Sequence, residues 1–137
     1  MIRGIENYAI VLDIWRIGCI FGELYIKKPL FMGDSEIDQI FKMMQIYGTL
    51  NELTLPGYKS FPYFNPFWKG IGLKSYVNKK YGSLQMDDLA FDLLEKMLNI
   101  DPIKRITCKE ALNHPFLKVL YVHAVIKIII FFNYLLF

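Results

Sequence analysis

The sequence predicts a mainly α-helical fold, and three stretches carry that prediction. Residues from about Tyr8 to Tyr25 are apolar nearly all round a helical wheel. A second stretch opens on Ser35 and Asp38 and continues with Ile37, Ile40, Phe41 and Met44 at i, i+3, i+4, i+7 spacing. A third, from about Asp87 to Leu98, sets Ala90, Leu93, Leu94, Met97 and Leu98 on one side. With 137 residues, 54% of them hydrophobic and 21% charged, the chain has room for one domain with a real core.

The first helix contains Ile10, Val11, Ile14, Trp15, Ile17, Ile20, Phe21 and Leu24, enough to predict a central helix buried on most sides. Lys27, Lys28 and Pro29 end it. In the second, Ser35 and Asp38 form a capping pattern that satisfies first-turn amides. Asp34, Glu36 and Asp38 add negative charge at the positive end of the helix dipole, and Gly48 offers the stop. From Thr49 to Gly82 periodicity dissolves. Pro56, Pro62 and Pro66 predict an ordered but irregular insert, with Phe61, Tyr63, Phe64, Phe67 and Trp68 lying over the core. The third helix follows, then a turn at Asp101-Pro102. Thr107 with Glu110 opens a short helix that stops before His114-Pro115.

The formal charge of +3 is mild and gives no nucleic-acid footprint. The lysine pairs 27/28 and 79/80 read as solvated. Cys19 and Cys108 belong to no zinc-spaced motif and read as small apolar core residues in a reducing compartment. His114 reads as structural, and Met43 and Met44 as core. The N-terminus carries no signal-peptide pattern.

The tail is a separate problem. Residues 119–137 are nearly continuously apolar, long enough to span a bilayer, but His123 and Lys127 interrupt them. A central lysine costs about 2.5–3.5 kcal/mol on insertion scales, against roughly 0.3–0.6 kcal/mol returned per large apolar residue. Three readings stand: translation running into AT-rich sequence, a membrane anchor, or an extra core helix.

Three strings in order then resemble a known family: LDIWRIGCIFGEL (Leu12–Leu24), PLFMGDSEIDQIF (Pro29–Phe41) and LNIDPIKRITCKEALNHPF (Leu98–Phe116). The first holds D-x-W-x-x-G as Asp13, Trp15 and Gly18, and the last holds D-P-x-x-R as Asp101, Pro102 and Arg105. In this order and spacing they resemble the large lobe of protein kinases from its central helix onward. The middle string, with IYGTLNE (Ile46–Glu52) after it, resembles the cyclin-dependent kinases. The likeness covers about Tyr8 to Leu117 and weakens between Leu55 and Gly82, where Leu55 stands in place of a usual tryptophan. Arg16 replaces a small residue usual in the first helix. The expected organisation is a partial kinase C-lobe over residues 1–117, with an irregular insert, and an apolar tail over 118–137.

The resemblance implies roles. The aspartate matched by Asp13 bonds the catalytic-loop backbone, the glycine matched by Gly18 lets helices approach, and the arginine matched by Arg105 pairs with the A-P-E glutamate. With those partners absent here, Asp13 and Arg105 are expected to turn to water or local acceptors. The complete family member would use ATP and Mg to phosphorylate protein Ser/Thr in cell-cycle control. Phosphoryl transfer needs a Gly-rich loop, a strand lysine, the catalytic-loop Asp and Asn, and D-F-G. The sequence contains no G-x-G-x-x-G, V-A-I-K, H-R-D or D-F-G, so no catalytic, cofactor or metal residue is assigned and the isolated chain is expected to be inactive. In the family the region matched by Gly33, Asp34, Ser35, Glu36, Ile37, Asp38 and Gln39 docks Cks-type adaptors, which makes a non-catalytic binding module one alternative. An inactive membrane-anchored remnant, held through residues 119–137, is another. A cyclin is not expected to bind without the N-terminal half. The expected location is cytoplasmic or nuclear, with membrane anchorage as the alternative.

Overall fold

The computed structural model describes residues 2–48, 69–82 and 86–135, with side chains described for 11–48, 69–82 and 86–125. The helices, in order, are α1 (Ile2–Ile26), α2 (Glu36–Tyr47), α3 (Leu73–Tyr81), α4 (Asp88–Met97), α5 (Cys108–Leu112) and α6 (Pro115–Leu135). There is no strand among the described residues.

α1 packs along α4, and the packing is set by small residues. A Cβ added at Gly18 would stand 2.9 Å from Leu98 Cδ2 and 3.0 Å from Met97 Cβ, closer than carbon atoms normally approach. At Gly22 the same atom would meet Leu30 and Leu94 no nearer than 3.4 Å. Gly18 is therefore the point of closest approach. Leu94, Leu98, Ile26, Leu30, Ile46, Leu73 and Val77 belong to one core cluster. A second cluster joins Ile14, Ala90, Leu93, Met97, Ala111 and Phe116.

α1 differs from its expected burial. Ile14, Gly18, Gly22 and Ile26 recur every fourth residue and turn inward, whereas Ile17, Ile20 and Leu24 are 48%, 59% and 61% exposed. The described residues provide a packing partner on one side only, so the apolar sequence outruns the surface available to cover it. α1 also starts earlier than Tyr8. It ends where Lys27 adopts φ 60°, with its N–H donating to the Glu23 carbonyl at 2.7 Å.

α2 starts as expected. Ser35 is extended, and its Oγ accepts the Asp38 N–H at 3.1 Å. Gly48 (φ 80°) closes the helix through an N–H bond to the Met44 carbonyl. The backbone of 69–72 then crosses this end. The Ile71 and Gly72 amides donate to the Gln45 and Ile46 carbonyls at 3.1 and 3.0 Å, satisfying acceptors that the helix end leaves open. A Cβ at Gly70 would collide with backbone atoms of Ile46 and Gly48, so the crossing requires glycine there.

α3 breaks the irregular region that the sequence predicts up to Gly82. Its signal was present: Leu73, Tyr76 and Val77, at i, i+3, i+4, are its buried face, between Gly72 and Gly82. Three lysines in nine residues diluted it. The aromatic residues expected over the core, Phe61, Tyr63, Phe64, Phe67 and Trp68, lie outside the described residues.

α4 is capped by Asp87, whose carboxylate accepts from the Leu89 and Ala90 amides. α5 carries the full capping box, with Thr107 and Glu110 satisfying each other's amides. Cys108, at the start of α5, is exposed rather than core, because the first turn of this short helix faces solvent. Cys19 is half-buried and packs against the first core cluster. Met44 is buried and Met43 partly so.

The tail continues as α6 without a break after Phe116. Residues 118–124 are exposed, so this part of the tail lies outside the core; the side chains of 126–137, on which the rest of the core-helix reading falls, lie outside the described residues. Among the described residues no helix is long and apolar enough to cross a membrane, which leaves the anchor reading without support.

Candidate functional site

The three kinase-like strings converge on one aromatic ring. Trp15, on α1, stacks on Phe31 with centroids 5.7 Å apart and planes 13° from parallel. Tyr47, at the end of α2, tilts against the same indole at 6.1 Å. The Arg105 guanidinium lies over it at 4.9 Å. Trp15 thus joins α1, the 29–33 turn, the end of α2 and the turn after α4.

Arg105 is held from several directions. Its Nε donates to the Asn99 carbonyl and its Nη1 to the Val11 carbonyl, both at 2.9 Å. The Asp101-Pro102 turn places it. Asp101 N–H bonds Asn99 Oδ1, Asp101 Oδ1 accepts the Ile103 N–H, and the Asp101 carbonyl accepts from Lys104 N–H, at 3.0, 3.0 and 3.1 Å. A rigid guanidinium fork suits two carbonyls and a ring face together in a way a lysine does not. The Cys19 thiol packs near this cation, yet burial dominates and pushes it up to about 11, with Arg105 pulling in the other direction. Burial likewise raises the Tyr47 phenol, whose hydroxyl donates to the Leu98 carbonyl at 2.5 Å.

Asp13 sits two residues before Trp15 and points away from it. It is exposed and accepts from Arg16 Nη1 at 2.9 Å, so the unusual arginine in this helix supplies its partner. Asp13, Trp15, Gly18, Asp101, Pro102 and Arg105 therefore divide. Trp15 and Arg105 touch, Asp101 and Pro102 build the turn beneath Arg105, Gly18 makes the α1–α4 contact, and Asp13 stands apart in solvent.

The Gly33–Gln39 segment forms a second candidate surface. Gln39 Oε1 accepts the Gly33 N–H at 2.8 Å, and its Nε2 donates to the Phe31 carbonyl at 3.4 Å. A Cβ at Gly33 would strike the Gln39 backbone amide, so glycine is needed there for space. Asp38 accepts the Asp34 N–H at 3.1 Å and pairs with Lys42 at 3.5 Å. Gly33, Asp38 and Gln39 are thus partly buried and engaged locally. Asp34, Ser35, Glu36 and Ile37 face solvent.

His114 is buried, and its Nε2 lies 2.7 Å from Asp92 Oδ2. The Phe116 N–H donates to Nδ1 at 3.3 Å, which places the ring proton on Nε2. Lys96 bonds the same Asp92 oxygen at 2.6 Å. Hydrogen bonds from Lys96 and then His114 hold the Asp92 carboxyl below its ordinary value. This is a brace between α4 and the start of α6.

Sequence reasoning missed Phe31 and Tyr47 as partners of Trp15, and the Val11 and Asn99 carbonyls as acceptors for Arg105. Backbone acceptors leave no trace in residue identity. The described residues contain no cluster of three or more metal-ligating side chains.

Residues 2–117 match the protein kinase domain family. The chain belongs to the protein kinase family. It is 40% identical over 116 residues to a protein described as "Probable cyclin-dependent kinase 10" from Dictyostelium discoideum, an alignment covering 85% of this chain and 31% of that protein. The chain thus spans about a third of that relative's length and is cyclin-dependent-kinase-like. Against this kinase frame, the Trp15–Arg105 junction lies within the matched residues, as does the Gly33–Gln39 segment. Most of α6 lies beyond them.

Proposed function

We propose that these residues form the scaffold part of the large lobe of a cyclin-dependent-kinase-like Ser/Thr kinase, with residues 1–117 as the lobe segment and 118–137 as an appended tail. The complete protein would transfer the γ-phosphate of ATP, with Mg, to protein Ser/Thr hydroxyls in the cytoplasm or nucleus. The observation that carries this reading is the convergence of all three kinase-like strings on Trp15. In that assignment the chain supplies structure and no catalytic group, and the 137 residues alone bind neither nucleotide nor cyclin.

The test is the transcript upstream of Met1. An in-frame H-R-D, D-F-G and A-P-E are expected there, and stop codons in every frame would overturn the assignment. Titration of the purified chain with Mg·ATP is expected to show no binding.

A second role is favoured by the exposure of Asp34, Ser35, Glu36 and Ile37, the last 43% exposed, with Met32, shortly before them in the chain, at 53%. An acidic helix start that carries an uncovered apolar side chain suits docking of a Cks-type adaptor. A pull-down with such an adaptor should retain the folded chain and lose it on Ile37→Asp. Retention unchanged by that substitution, or no retention at all, would sink the docking role.

A further inference from the structure

A cavity of about 580 Å³ lies between α2, the 69–72 crossing and α3. That volume is in the range of small-molecule sites. Four lysines line it: half-buried Lys42 from α2, and exposed Lys69 from the crossing and Lys79 and Lys80 from α3. Among the described residues no carboxylate does. Lys42 has one nearby acid, Asp38, at 3.5 Å, while Lys69 and Lys79 have no ion pair among the described residues. Lys80 is fixed by neutral groups. Its Nζ bonds the Tyr76 hydroxyl at 3.1 Å and lies 5.3 and 5.0 Å from the Tyr76 and Tyr81 ring centroids.

Two of these lysines have a simpler explanation that does not extend to the others. Lys79 and Lys80 occupy the last turn of α3, where positive charge complements the helix dipole. Lys42 and Lys69 come from different elements and gain nothing from that dipole. Their gathering round one cavity concentrates positive charge that an anion would neutralise. The remaining lining is partly apolar, with buried Met44 and half-exposed Ile71, and includes the Tyr76 phenol. Lysine serves as a point-charge phosphate binder, and an apolar wall suits an organic stem.

We propose that this cavity binds a phosphate monoester carried on an apolar or aromatic stem. The phosphate sits among Lys42, Lys69, Lys79 and Lys80, and the stem lies on Met44 and Ile71. The site is separate from nucleotide binding and meets the Gly33–Gln39 surface only through the Lys42–Asp38 pair.

Calorimetric titration of the full chain with phenyl phosphate and with a short phosphotyrosine peptide tests this and separates a free ligand from a protein-borne one. Binding of either probe, at least tenfold tighter than inorganic phosphate and absent for phenol, is expected; preference for one probe assigns the source. Lys79→Gln with Lys80→Gln should weaken binding tenfold or more, as should Lys69→Gln, which lies outside any helix. Helical circular dichroism should stay unchanged in both. Failure of both probes to bind, affinity equal to that of inorganic phosphate, or binding indifferent to all three substitutions would overturn the proposal.

Discussion

The Trp15–Arg105 junction and the start of α2 solve the same problem, satisfying polar groups, over very different distances along the chain. At α2 the bonds link residues three to eight apart, from Phe31, Gly33, Asp34 and Ser35 to Asp38 and Gln39. At the junction, Arg105 reaches Val11 across 94 positions. The first can form while α2 forms, whereas the second exists only once α1 and α4 have docked. Damage at the junction should therefore weaken the whole assembly, and damage at the cap should weaken one helix end.

Arg105→Ala should have the largest effect. It removes two hydrogen bonds from a charged donor to backbone carbonyls, together with a cation–π contact. A loss of about 2–4 kcal/mol in denaturant unfolding is expected. Arg105→Lys should recover less than half of it, because an ammonium cannot span both carbonyls and the ring. Unfolding unchanged by Arg105→Ala would show that the junction is an ornament of the docked helices and not part of what holds them.

The glycines of α1 sharpen the same contrast inside one interface. Gly18→Ala puts a methyl against Met97 Cβ, which cannot swing aside, and should cost about 1–3 kcal/mol. Gly22→Ala meets Leu30 and Leu94 at ordinary contact distance. There the gain in helix propensity should dominate, and a stabilisation of about 0.5–1 kcal/mol is expected. Thermal unfolding of the two variants side by side checks both signs.

At the local end of the comparison, Ser35→Ala removes the α2 cap and should cost about 1 kcal/mol, with little change in the exchange protection of α1 and α4 amides. A global loss of protection would erase the distinction between cap and junction.

What could be read from sequence follows the same division. The caps at Ser35 and Thr107 were legible because donor and acceptor lie within one turn and the residue types name the bond. The α2 and α4 faces were legible from spacing alone. The family was legible too, because D-x-W-x-x-G and D-P-x-x-R survive intact. The structure of the junction was not: Val11 and Asn99 contribute carbonyls that every residue possesses, and Phe31 and Tyr47 reach Trp15 only through the docking of separate elements. The half-exposed state of α1 was also hidden, because periodicity reports what a helix can bury and not whether a partner is present to bury it. Cys108 failed for the opposite reason, since a typical core residue type here occupies an exposed first turn.

Asp92 combines both kinds of bond in one side chain, so it can test the division at its smallest scale. Lys96, one turn away, is its local partner, and His114, across 22 positions, its distant one. Both depress the carboxyl below its ordinary value near 3.8, with Lys96 contributing more. A depressed folded pKa means that the contribution to stability is complete above the unfolded value and disappears as pH falls through the lower folded one. Denaturation midpoints of the native chain should therefore decline from about pH 5 downward by a small increment that Asp92→Asn abolishes. Lys96→Ala should remove more of that increment than His114→Gln, although His114→Gln should cost more stability at neutral pH, where it empties a buried position. If the two substitutions instead act alike at both pH values, the proton linkage and the packing of Asp92 share one origin, and local and distant bonds are not separable at this residue.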